Sequence, residues 1–287
     1  MPAGGWTPRR VGIAGLGLIG GSVALALKRA WPDVWIVGAD PEPQAARARA
    51  GMLDALGVLA DLRDCDLVVL AAPVAVNIEL LRALGSLRAA ALVTDVGGTK
   101  RAMCAAARAS ASPLRFVGGH PMAGSAERGA ANARADLFDG ATWFVVGDDA
   151  AQADVDRIAS VAAALGAVPR PIGAEAHDRV LAAVSHLPQL VVSALMASAG
   201  GAAGASGLAL AGRGLTDSTR LAATTSEWVR SALDTNFDCI EPLLADVIAR
   251  LEAIRADRAS VAALLADASR WRRELVAAAP SSVEPAS

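Results

Sequence analysis

Residues 11–28 read VGIAGLGLIGGSVALALK, an apolar run, then a burst of glycines, then a stretch of strong helix formers. Gly15, Gly17 and Gly20 stand in a G-x-G-x-x-G frame at the point where a strand would hand over to a helix. In that setting the first glycine allows the tight turn and the second lets the backbone approach a pyrophosphate. The third lets helix and strand pack closely. Leu16, Leu18 and Ile19 supply the intervening backbone, and the helix N-terminus offers unsatisfied N–H groups to a diphosphate. Asp40 ends the next apolar run, VWIVGAD, twenty residues after Gly20. A carboxylate there accepts hydrogen bonds from a ribose diol and repels a 2′-phosphate, which selects NAD over NADP. The expected cofactor is NAD.

The alternation continues. Strands are expected over Arg10–Ala14, Val34–Ala39, Asp66–Ala71, Ala91–Asp95, Arg115–Val117 and Trp143–Val146. Between them lie helical stretches at Ser22–Ala30, Pro43–Gly51, Val76–Leu84, Thr99–Ser110 and Ala151–Leu165. Continuous apolar runs such as LVVL and WFVV suit a parallel sheet covered on both faces. Beyond GAVPRPIG the strand signal ends, and apolar residues recur at three- and four-residue spacing. The predicted fold class is therefore α/β: an N-terminal Rossmann-type, doubly wound, mostly parallel sheet followed by an all-α C-terminal domain. A chain of 287 residues accommodates both, with domains expected at 1–172 and 173–287.

A net charge of −2 leaves no electrostatic footprint for nucleic acid. Cys65, Cys104 and Cys239 are scattered without metal-ligand or disulfide spacing, as expected of a reduced, cytoplasmic protein without a metal site. Val180–Gly212 is apolar enough to suggest a membrane span, but His186, Pro188 and a glycine cluster interrupt it, so a buried core helix is expected and no membrane partner.

A nicotinamide-dependent oxidation of an alcohol needs a base. The chain has no tyrosine, and its helical half has no lysine, which leaves three histidines as leading candidates. His120, in FVGGHPMAGS, follows the strand RFVG in a segment rich in turn formers, at the rim where open α/β sheets bind ligands. His186, in AVSHLPQLV, fits either a core ring or a site residue. His177, in EAHDRV, fits an exposed cap at a helix start.

Five segments in order, GLGLIGGS, TDVGGTK, FVGGHPMAGS, HDRVLAAVSHLP and LTDSTRLA, resemble the prephenate/arogenate dehydrogenase family of tyrosine biosynthesis over about residues 10 to 270. The resemblance implies NAD-dependent oxidative decarboxylation of a cyclohexadienyl alcohol such as prephenate, and a homodimer through the helical domain. It makes His120 the catalytic base and Arg220 the ligand of a substrate carboxylate, with Asp217 helping to hold Arg220. It places Ser125, His186, Gln189 and Gly98 beside the substrate. Gly98 stands where many relatives have serine, Gln189 where many have histidine, and Ala126 where an acid is common. Arogenate or a 4-amino analogue of prephenate are alternative substrates, and a non-catalytic NAD(H)-binding sensor is an alternative of another class.

Overall fold

The computed structural model describes residues 6–42, 51–124, 129–223 and 226–278. Eight strands form one sheet: β1 (Arg10–Ala14), β2 (Trp35–Ala39), β3 (Ala55–Leu56), β4 (Leu67–Leu70), β5 (Leu92–Asp95), β6 (Arg115–Pro121), β7 (Thr142–Val146) and β8 (Val168–Pro171). Their spatial order is β3-β2-β1-β4-β5-β6-β7-β8. All neighbours run parallel except β6 and β7. The order reverses at β1, so the chain switches sheet direction at the glycine-rich turn, where such sheets hold ligands.

The helices of the sheet region are α1 (Leu18–Ala30), α2 (Val74–Ser86), α3 (Arg101–Arg108) and α4 (Gln152–Ala164). Two apolar layers sandwich the sheet. Val23 and Leu27 of α1 and Ile158 of α4 pack on one face, with Phe138, Trp143 and Leu165. Leu81, Leu84, Met103 and Cys104 of α2 and α3 cover the other. The strand LVVL is buried at every position because both faces are covered. The helix expected at Pro43–Gly51 lies, except for Gly51, outside the described residues.

Two strand assignments differ from expectation. β8, VPRP, lies in GAVPRPIG, beyond Trp143–Val146, the last strand expected. It is an exposed edge strand, where a missing N–H costs little. β6 runs four residues past Val117 and takes in His120, which pairs with Phe144 of β7. The Gly118–Gly119 pair is thus not a turn. A Cβ on Gly119 would lie 2.4 Å from the Asp95 carbonyl oxygen, so the glycine serves close strand packing.

Downstream come α5 (Ala174–Leu181), a π-helical turn (Ala182–His186), α6 (Leu187–Leu208), α7 (Arg213–Ser218), α8 (Ser226–Ala256) and α9 (Ser260–Ala278). The chain forms two compact units, Met1–Cys239 and Ile240–Ser287. The division expected at 172/173 falls inside the first, at the junction of β8 and α5. Pro188 does not break the helix: it lies in the first turn of α6, directly after the π-helical turn Ala182–His186. The helical stretch Ala174–Leu208 is interrupted at Gly204 (φ +62°, ψ 178°), within the expected glycine cluster, yet by length and composition it is apolar enough to cross a membrane. It is not the buried core helix expected from its sequence: only 22% of its most apolar window is covered by this chain.

Candidate active site

At the cofactor end, Gly15 adopts φ +92°, and a Cβ there would meet the Ala71 backbone at 2.6 Å. Gly20 is tighter still, its Cβ position lying 2.0 Å from the Gly15 carbonyl oxygen. Gly17, by contrast, faces open space and begins α1 with no side-chain cap. The first-turn amides of Leu18, Ile19 and Gly20 are therefore those a helix leaves for an anion. Leu16 differs: its side chain is buried in the core, and its N–H donates to Asp40 Oδ2 at 2.6 Å. Asp40 Oδ1 accepts the Glu42 N–H at 2.8 Å, so the carboxylate at the tip of β2 is fixed beside the turn. This glycine cradle and its carboxylate fit a dinucleotide.

The histidines form a relay. His120 Nδ1 lies 2.9 Å from His177 Nε2, and His177 Nδ1 lies 2.8 Å from Asp178 Oδ1. His177 and Asp178 are fully buried at the start of the helical region, and His120 is half-buried at the carboxyl end of β6. The exposed capping role expected for His177 is therefore wrong. One of its partners, His120, lies 57 residues away, and no periodicity reports that. Phe144 meets the His177 ring edge-on with centroids 5.3 Å apart, walling it from water.

Burial pushes Asp178 up. The hydrogen bond from His177 and those from the Arg101 and Lys100 backbone N–H groups outweigh it, leaving the carboxyl below its ordinary range. Burial pulls the His177 ring down, with Asp178 opposing. His120 is driven well below 6.5, first by burial and then by the positive charge that His177, Lys100 and His186 would present. An ionised Asp178 fixes the proton of His177 on Nδ1, so its Nε2 accepts from His120 Nδ1–H. The remaining nitrogen of His120, Nε2, is then an unprotonated acceptor.

Lys100, one of two lysines in the chain, is fully buried and paired with Asp95. Its Nζ donates to the Gly119 carbonyl at 2.8 Å, and Asp95 Oδ1 accepts the Gly119 N–H at 3.1 Å. The pair grips both ends of the residue before His120. Asp95 Oδ2 also accepts the Gly97 N–H at 2.9 Å, ordering the turn that carries the half-buried Gly98. Both side chains lie in TDVGGTK, and neither is among the site residues expected from the sequence. A scarce lysine five residues after an acid was the available signal.

The other expected site residues divide. His186 is 2% exposed and sits 3.3 Å from the Asn236 amide nitrogen, with burial pulling its pKa to about 4. Gln189 is buried and donates through Nε2 to Leu221 O at 2.9 Å and Ser193 Oγ at 3.2 Å. That bond tethers the turn Arg220–Ala223, which carries the exposed Arg220. Asp217 does not hold Arg220. Its ion pair, at 4.0 Å, is with Arg213 one helical turn earlier. Ser125 and Ala126 lie outside the described residues. Among the described residues no cluster of metal-ligating side chains occurs.

Two family models match the chain: "Prephenate dehydrogenase, nucleotide-binding domain" over residues 23–169 and "Prephenate dehydrogenase, dimerization domain" over 173–260. A prephenate dehydrogenase of Bacillus subtilis is 32% identical over 253 residues, covering 85% of this chain and 68% of the relative. One of Lactococcus lactis is 32% identical over 194 residues, and there the alignment covers 66% of this chain but 53%, about half, of the relative's length. Among solved structures, the prephenate dehydrogenase of A. aeolicus in complex with hydroxyphenyl propionate and NAD+ superposes with a TM-score of 0.83. It is 24% identical, with 94% of this chain and 99% of that one covered, and so speaks for the fold. With both of its parts matched, the chain belongs to the prephenate dehydrogenase family.

Proposed function

We propose that the protein is an enzyme that catalyses the NAD-dependent oxidative decarboxylation of prephenate to 4-hydroxyphenylpyruvate, carbon dioxide and NADH, a step of tyrosine biosynthesis. The observation that carries this reading is the Asp178–His177–His120 relay, which leaves an unprotonated ring nitrogen at the carboxyl rim of the sheet. β6 stands three strands from β1, about 14 Å along the same rim as the glycine turn. A dinucleotide lying across that rim extends toward His120.

The nicotinamide, when bound, supplies the hydride acceptor. His120 Nε2 accepts the proton of the ring hydroxyl as hydride leaves the same carbon, and carbon dioxide departs from the opposite ring position. The proton gained by His120 is stabilised through His177 by the Asp178 carboxylate, which also keeps both rings in the required tautomers. Aromatisation drives the step, so positioning is the main demand on the protein. Arg220 offers a planar two-pronged donor to a substrate carboxylate, and Gln189 holds its turn in place. Gly98, Ser125 and His186 complete the substrate surroundings. The Leu18–Gly20 amides hold the diphosphate and Asp40 holds the ribose.

Residues 1–172 bind the cofactor and carry His120, and 173–287 complete the substrate site and assemble as a homodimer. Exposed apolar side chains such as Val184, at 61%, and Leu195, at 44%, suit burial against a second copy. Free cysteines and NAD both belong to a reducing compartment, which favours the cytoplasm. Purified protein given prephenate and NAD should release NADH and 4-hydroxyphenylpyruvate in equal amounts, with arogenate and the 4-amino analogue assayed beside it. No turnover of any of the three would refute the enzyme reading, and preference for one of the other two would reassign the substrate.

A further inference from the structure

We infer that Asn236 is a positioning residue that sets the tautomer of His186, holding its proton on Nε2. Asn236 lies at a break in α8, with φ −145° and ψ 18° inside an otherwise helical run, and its side chain is fully buried. Both ends of its amide are committed. Oδ1 accepts from Arg101 Nη2 at 2.8 Å, and Nδ2 donates to the Asp178 carbonyl at 2.8 Å. Reversing the amide would set donor against donor at the guanidinium and acceptor against acceptor at the carbonyl. The orientation is therefore fixed by its partners.

Arg101 is itself anchored. Its guanidinium takes Asp238 in a two-pronged pair at 2.6 and 2.5 Å and reaches Asp178 through Nε at 3.2 Å. The second N–H of the Asn236 amide then faces His186 Nδ1 at 3.3 Å. A nitrogen that receives this N–H must be the unprotonated one, which puts the imidazole proton on Nε2. Burial leaves the ring neutral at physiological pH; of the charged and titratable groups around it, His177 acts in the same direction and Asp178 opposes. One side chain thus bonds both the Asp178 peptide of the relay and the third histidine. On the function proposed above, His186 is a neutral Nε2–H donor to an oxygen of the substrate rather than a second base.

Nitrogen-15 NMR of histidine-labelled full-length protein tests this directly, with His186→Gln identifying the resonances. At pH 7 the wild type should show His186 Nδ1 unprotonated and Nε2 protonated. Asn236→Asp puts an acceptor where the amide N–H was, and should move the proton to Nδ1. The same variant should raise KM for prephenate roughly tenfold or more, with a smaller loss in kcat. A wild-type proton on Nδ1 overturns the assignment, as does an unchanged tautomer in folded Asn236→Asp. Should that variant fail to fold, the wild-type spectrum alone decides. The spectra need no turnover, so a chain inactive on prephenate but with the expected tautomer would refute the proposed function and leave this inference standing.

Discussion

At the residue scale, the chemistry turns on which nitrogen of which ring carries a proton. That is settled by buried partners: Asp178 for His177, His177 for His120, and the backbone around Gly119 for the placement of His120. The Lys100–Asp95 pair is fully buried, so removing one partner leaves an uncompensated charge. Lys100→Met should destabilise the fold by about 3–5 kcal/mol, and the double change with Asp95→Leu should recover much of that loss. Urea unfolding of the three proteins checks it; a single variant as stable as wild type would refute the clamp. His120 stands out in the sequence as a candidate base because rival bases are scarce. Its partners do not, since Asp178 and His177 meet it only through a contact that spans 57 residues.

At the scale of elements, the β1–α1 turn could be read almost completely, because G-x-G-x-x-G states a steric requirement and not merely a preference. Gly15→Ala tests that requirement. With φ at +92° and the Ala71 backbone 2.6 Å from the new methyl, the turn must shift, at a cost of about 1–3 kcal/mol. NAD affinity by titration calorimetry should fall together with thermal stability; unchanged NAD binding would mean the turn does not shape the cofactor site. β6 was harder to read. Gly118, Gly119 and Pro121 look like turn chemistry, yet the close approach of β5 demands glycine at 119 inside the strand. β8 escaped for a similar reason, its prolines being tolerable only because it is an edge.

At the scale of the whole molecule, α/β followed by all-α was visible in the change of hydrophobic period near residue 170, whereas the exposure of the helical region was not. α9 buries none of its described residues, and Leu265, Trp271 and Leu275 are each at least 58% exposed. Periodicity marks an apolar face without saying whether the same chain covers it. The three histidines, His177 and His186 buried and His120 half-buried, also give stability a pH dependence. All three have native pKa values below 6.5, so the unfolded chain binds their protons more readily. Stability should hold above that value and fall as the pH drops through 6.5 toward about 4, the native value of His186. Thermal melts at pH 7.5 and 5.0 should show the loss, and equal melting temperatures would contradict neutral burial. The central claim is that His120 takes the substrate proton, and the most direct measurement is NADH formation from prephenate by wild type and His120→Asn. The expected result is a kcat lower by roughly 10²–10⁴ with NAD affinity retained. A variant that turns over at the wild-type rate would contradict the account.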